Sequence, residues 1–212
     1  SEKIAVIGLS ALFPEADNAD QFWQNLLDQK DCTRQVSAKE MGVDPELFHG
    51  EPGETDKTYC LNGGFIGDIN LTDDDLSLSQ AQIDGLDDSY RWSLYTAREA
   101  LKDSGYLGKT DTLERCGVIY GNLSFPTKSS NQLFIPLYHQ ALNKAAGDLL
   151  QDATFSLPRY TEAKPAAAHN GLISGYPASL ISHALGLQGT QFTLDAACAS
   201  SLYSVQLACD YL

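Results

Sequence analysis

The tightest constraint on the fold lies between Thr190 and Leu202. An apolar, β-prone run, Gln191 to Leu194, meets a cysteine wrapped in alanine and serine, and a helical pattern then runs to Leu212. This order predicts a strand, a sharp turn and a helix. Small residues at 196, 197, 199, 200 and 201 let the backbone fold tightly around one side chain, as a turn must when a nucleophile projects from a helix start. Cys198 is that side chain. The first turn of a helix carries unpaired N–H groups and the positive end of the macrodipole, so an anion such as a thiolate is favoured there. Spacing alone leaves a second reading open, because a cysteine among apolar neighbours is commonly an inert buried hydrophobe.

The rest of the chain reads as an ordinary α/β globular protein. Its 212 residues, 43% of them hydrophobic, suffice for one sizeable core. No window approaches the ~18–20 apolar residues of a membrane span, and the opening run from Ser1 to Val6 is too short for a signal peptide. A cytoplasmic location is the expectation. The five cysteines (32, 60, 116, 198 and 209) are odd in number, scattered and without a CxxC pair, so neither a disulfide framework nor a metal site is indicated. The net charge of −14, from 28 acids against 14 bases, opposes nucleic-acid binding, which demands a basic surface.

Along the chain, Glu2 to Leu9 is a short apolar run closed near Gly8, as an inner strand of a sheet covered on both faces would be. No GxGxxG follows Gly8, which removes a dinucleotide loop. Asp20 to Leu27 predicts an amphipathic helix whose Phe22, Trp23, Leu26 and Leu27 face the core. Loops with brief strands are expected from Cys32 to Asp75, with His49 on the surface. The clearest helix runs from Asp87 to Gly105, with Ser89 as a possible cap and a buried stripe of Tyr90, Leu94, Ala97 and Leu101. Arg91, Arg98 and Lys102 form its exposed face. Arg115 to Asn122 predicts a second buried strand, with Cys116 in the core. A helix near Tyr138 to Leu150 follows, with proline breaks at 126, 136, 158 and 165. Gly175 to Leu187 predicts a helix that Pro177 starts and Gly186 ends. Between Ala196 and Leu212 the only charge is Asp210, so the final helix is expected to be buried on most faces. Cys209 lies about 16 Å along it from Cys198, too far for a disulfide.

The run Asp195-Ala196-Ala197-Cys198-Ala199-Ser200-Ser201-Leu202 resembles the active-site signature of β-ketoacyl synthases, the condensing enzymes of fatty acid and polyketide synthesis. The continuation Leu202 to Leu212 is most similar to the ketosynthase of bacterial polyunsaturated fatty acid synthases. Phe13-Pro14, Phe22-Trp23, Gly63-Gly64-Phe65 and the strand Gly117 to Gly121 also resemble that family. Asp87-Asp88-Ser89-Tyr90-Arg91 departs from it, with Asp88 where the family has proline, which points away from the common modular polyketide synthases.

The resemblance implies a thiolase-like layered α-β-α-β-α fold of the α/β class. It makes residues 1–212 the N-terminal portion of one ketosynthase domain, cut within the nucleophile helix. It implies Cys198 as the catalytic nucleophile, no bound metal or organic cofactor, and an acyl carrier protein that brings its own phosphopantetheine arm. A homodimer, or a pseudo-dimer with a chain-length-factor-like domain, is implied as well. The two catalytic histidines of the family belong to its second half, and His49, His139, His169 and His183 match neither motif. Two other readings compete. One is a noncatalytic scaffold half that folds against a partner, against which the retained Cys198 argues. The other is a cysteine hydrolase built on a Cys198–His183 couple, a geometric claim that sequence cannot support.

Overall fold

The computed structural model describes residues 3–159, 167–172 and 175–212. Along the chain the elements are α1 (Ala19–Leu27), β1 (Thr33–Gln35), α2 (Ala38–Met41), β2 (Asn62–Gly64), α3 (Gln80–Asp84), α4 (Asp88–Asp103), α5 (Thr110–Leu113) and β3 (Val118–Gly121). They continue with α6 (Lys128–Leu150), α7 (Tyr176–Leu185), β4 (Gln191–Leu194) and α8 (Ser200–Tyr211). β1 and β2 form a small antiparallel ribbon, matching the brief strands expected there.

β3 and β4 pair in parallel, from Val118 opposite Gln191 to Gly121 opposite Leu194. Parallel strands need a long crossover, which the chain through α6 and α7 supplies. The core lies where α4 and α7 pack together beside these strands. Tyr90 and Leu94 of α4 meet Leu180, Ile181 and Ala184 of α7, with Ile83 completing the cluster. α7 follows its sequence signals closely: Pro177 lies in the first turn, and Gly186 ends the helix at φ 70°. Glycine tolerates that left-handed conformation without a Cβ penalty.

α4 begins as expected, but its cap is Asp87, not Ser89. The Asp87 carboxylate, in a residue only 3% exposed, accepts from the Ser89 N–H at 3.0 Å and the Ser129 N–H at 3.1 Å. One buried carboxylate therefore holds the first turns of both α4 and α6. Burial pushes this carboxyl up, but hydrogen bonds from Ser89, Ser129 and Thr127 outweigh it and hold it below the ordinary aspartate value. A depressed folded-state value contributes stability above the unfolded value near 4, and that contribution is lost as the pH falls through the folded one. Asp87→Ala is expected to cost about 3 kcal/mol at neutral pH, by removing a cap and leaving buried donors unmet. The gap between Asp87→Ala and the parent protein should narrow in denaturation curves taken below pH 4.

Four expectations fail, each through tertiary surroundings. The N-terminal run makes no strand pairing among the described residues. It lies against the end of α4, with the Leu9 N–H donating to the Asp103 carboxylate at 2.8 Å, and Val6 is 87% exposed. On α1, Trp23, Leu26 and Leu27 point outward, while Phe22 stacks on Phe13 at 4.1 Å. Of the supposed exposed basic stripe on α4, Arg98 lies over the Tyr95 ring, with its guanidinium toward the Thr72 carbonyl. α6 runs straight through Pro136, capped at Thr127, so that proline removes one backbone bond without ending the helix. Pro165 falls outside the described residues.

α8 is also more open than expected. Only Ser200 and Ser204 are buried, whereas Leu202 is 75% exposed and Tyr203, Val205 and Tyr211 face outward. The whole chain presents 14118 Å² of surface at 23.0 kDa. A compact monomer of that mass presents about 9,600 Å². Among the described residues, no helix is long and apolar enough to cross a membrane.

Candidate active site

The strand, the turn and the helix expected around Cys198 are all present. β4 ends at Leu194, a single 3-10 turn spans Ala197–Ala199, and α8 starts at Ser200. Cys198 occupies the middle of the turn and is exposed. Ala197, just before it, has φ 50°, a left-handed conformation that an alanine Cβ disfavours.

Short side chains brace this turn. The Ser200 hydroxyl donates to the Ala197 carbonyl at 2.8 Å and accepts from the Ala196 N–H at 2.9 Å. The Ser204 hydroxyl donates to the Ser200 carbonyl at 2.8 Å. The Asp195 carboxylate accepts from the Ala197 N–H at 2.9 Å through one oxygen, and from the Ser124 N–H at 2.9 Å through the other. The N–H groups of Ser124 and Ala197 and the Ser124 hydroxyl hold this carboxyl below the usual aspartate range. The Ala199 N–H bonds the Ala196 carbonyl, and the Ser200 N–H bonds the Ala197 carbonyl. Four backbone donors around Cys198 thus have acceptors within the loop.

The floor of the site is the end of β3. A Cβ at Gly121 would fall 2.6 Å from the Ser200 carbonyl oxygen and 2.7 Å from the Ser204 hydroxyl. Only glycine lets β3 run this close to the start of α8. Cys116, at the other end of this strand, is half-buried, and burial pushes its thiol up. It belongs to the packing.

Across all 212 residues, the chain matches the sequence profile of the family described as Beta-ketoacyl synthase, N-terminal domain. The chain belongs to the β-ketoacyl synthase family. Ketosynthase structures share its thiolase-like α/β fold, of which these elements form the N-terminal part. A solved PfaC Keto synthase-Chain length factor superposes with a TM-score of 0.88 at 53% identity, over 98% of this chain and 22% of that one. The ketosynthase from module 6 of the bacillaene synthase from Bacillus subtilis 168 superposes at 0.63 with 22% identity, over 98% of this chain and 29% of that one, which bears on the fold alone. The polyunsaturated fatty acid synthase of Thraustochytrium sp. has a large polypeptide that is 27% identical over 99% of this chain, which spans 8% of that polypeptide's length.

In this ketosynthase portion the histidines are not gathered around Cys198. His183 is exposed on α7, and no hydrogen bond among the described residues joins it to Cys198. His139 contacts the Leu157 carbonyl at 3.0 Å and the Asn143 amide at 2.9 Å, His169 stacks on Tyr176 at 5.4 Å, and His49 is a surface residue near Glu46. The Cys198–His183 couple has no support here. Reasoning from sequence missed Asp195 as part of the turn. An aspartate at a strand end, two residues before a tight turn, signals an Asx-type bond, but its tie to Ser124 spans 71 residues and leaves no local mark.

Proposed function

We propose that this chain is the N-terminal half of a condensing domain whose nucleophile is Cys198. The observation that carries this reading is the placement of an exposed cysteine on a constrained strand-to-helix turn, in a chain of the β-ketoacyl synthase family. The Cys198 sulfur attacks the carbonyl of an acyl group on a carrier protein, forming an acyl-cysteine and releasing the carrier's phosphopantetheine thiol. A malonyl group on a carrier then loses CO2. The resulting carbanion attacks the acyl-cysteine carbonyl, a carbon–carbon bond forms, and the cysteine thiolate departs. The product, longer by two carbons, stays on the carrier. The Cys198 N–H is assigned as one donor to the oxyanion, since its neighbours' donors are already committed within the loop.

The open outer face of α8 and the surplus surface fit a portion completed by further ketosynthase structure, which supplies the two histidines. The PfaC relative is named as a keto synthase–chain length factor, and a partner of that kind is proposed to complete the present domain as a pseudo-dimer. Five unpaired thiols suit a reducing, cytoplasmic setting. The test supplies the whole protein with a long-chain acyl carrier thioester and a malonyl carrier thioester. A carrier-bound 3-oxoacyl chain longer by two carbons is the expected product; malonyl consumption without any elongated chain would overturn the assignment.

A further inference from the structure

We propose that Asp195 is a positioning residue, whose carboxylate clamps Ala197 in its left-handed conformation and so sets Cys198 at the exposed crest of the turn. This rests on the reading of Cys198 as a nucleophile and assigns what keeps that nucleophile in place. Asp195 follows β4 directly, and its two carboxylate oxygens serve two different segments. One accepts the Ala197 N–H within the turn, and the other accepts the Ser124 N–H in the loop leaving β3, each at 2.9 Å. The turn is thereby tethered to the neighbouring strand's exit. At φ 50°, Ala197 occupies a region that residues with a Cβ avoid. Such a conformation persists only where its surroundings over-determine it, and the carboxylate bond to the Ala197 N–H is directed at that very residue. The Ser200 hydroxyl braces the peptide on either side but leaves this N–H to Asp195. The exposed charge of Asp195 is screened by water, so geometry is the larger part of its effect.

A clamp of this kind makes a specific prediction, because glycine adopts the left-handed conformation without help. In the full-length protein, the rate of iodoacetamide alkylation of Cys198 is measured by peptide mass, with exposed Cys60 of the same chain as internal reference. Asp195→Ala is expected to slow Cys198 about tenfold relative to Cys60, and Ala197→Gly alone to change the ratio less than about twofold. The double variant Asp195→Ala/Ala197→Gly should recover most of the loss. An Asp195→Ala ratio equal to the parent's, or a double variant as slow as Asp195→Ala, overturns the proposal. Should Asp195→Ala unfold, which labelling of half-buried Cys116 would reveal, Asp195→Asn and Asp195→Asn/Ala197→Gly are read by the same rule. Alkylation needs no acyl chain. A protein that follows this pattern yet never accepts an acyl group keeps the clamp and loses the condensing role.

Discussion

Cys198→Ala is expected to abolish two-carbon elongation, lowering turnover by roughly a thousandfold or more, while the protein stays folded. The size follows from the chemistry. Without the sulfur no acyl-enzyme forms, and the malonyl-derived carbanion has no bound electrophile to attack. The stability effect is small for a separate reason. Cys198 is exposed, and the turn around it is held by Ser200, Asp195 and backbone groups, none of which the substitution touches. Surface changes of that kind shift stability by about 0.5 kcal/mol or less. Elongation assays paired with denaturation curves separate the two effects. A Cys198→Ala protein that elongates at the parent's rate would contradict the assignment.

Gly121→Ala is expected to be the most damaging single-methyl change near the site, costing about 3 kcal/mol and slowing Cys198 modification. The new Cβ would lie 2.6 Å from the Ser200 carbonyl oxygen and 2.7 Å from its carbonyl carbon, which are backbone atoms at the start of α8. Neither can swing aside as a flexible side chain would. Relief requires β3 and α8 to separate, which strains the Gly121–Leu194 end of the parallel ladder and the Ser200–Ser204 brace. Denaturation midpoint and alkylation rate should therefore fall together. Gly53, whose added Cβ meets nothing within 4 Å, is an uncrowded control. Its φ of 88° still penalises a side chain, so a loss of about 1 kcal/mol without effect on Cys198 is expected there.

The strand, turn and α8 around Cys198 were legible because local rules specify them: a β-prone run, a cluster of small residues, then a helical pattern. α7 was legible for the same reason, since Pro177 and Gly186 act on their own neighbours. What stayed hidden depends on distant surfaces. The hydrophobicity of α8 correctly signals a helix made for burial, but which face is covered depends on structure outside the described contacts. The apolar run Ile4 to Leu9 has strand composition yet no strand beside it among the described residues. Asp87 was visible as part of an acidic helix start, whereas its second task at Ser129 spans 42 residues and could be found only in three dimensions. The candidate nucleophile was thus readable from its neighbours, and the clamp at Asp195 was not.

The most direct test is to incubate the whole protein with a long-chain acyl carrier thioester, omit the malonyl donor, and map the covalent adduct by peptide mass. One acyl group is expected on the peptide that carries Cys198, removed by hydroxylamine as a thioester is, and none on peptides carrying Cys32, Cys60, Cys116 or Cys209. An acyl group on another residue, or an unmodified Cys198 in protein that still elongates its substrate, would contradict Cys198 as the nucleophile.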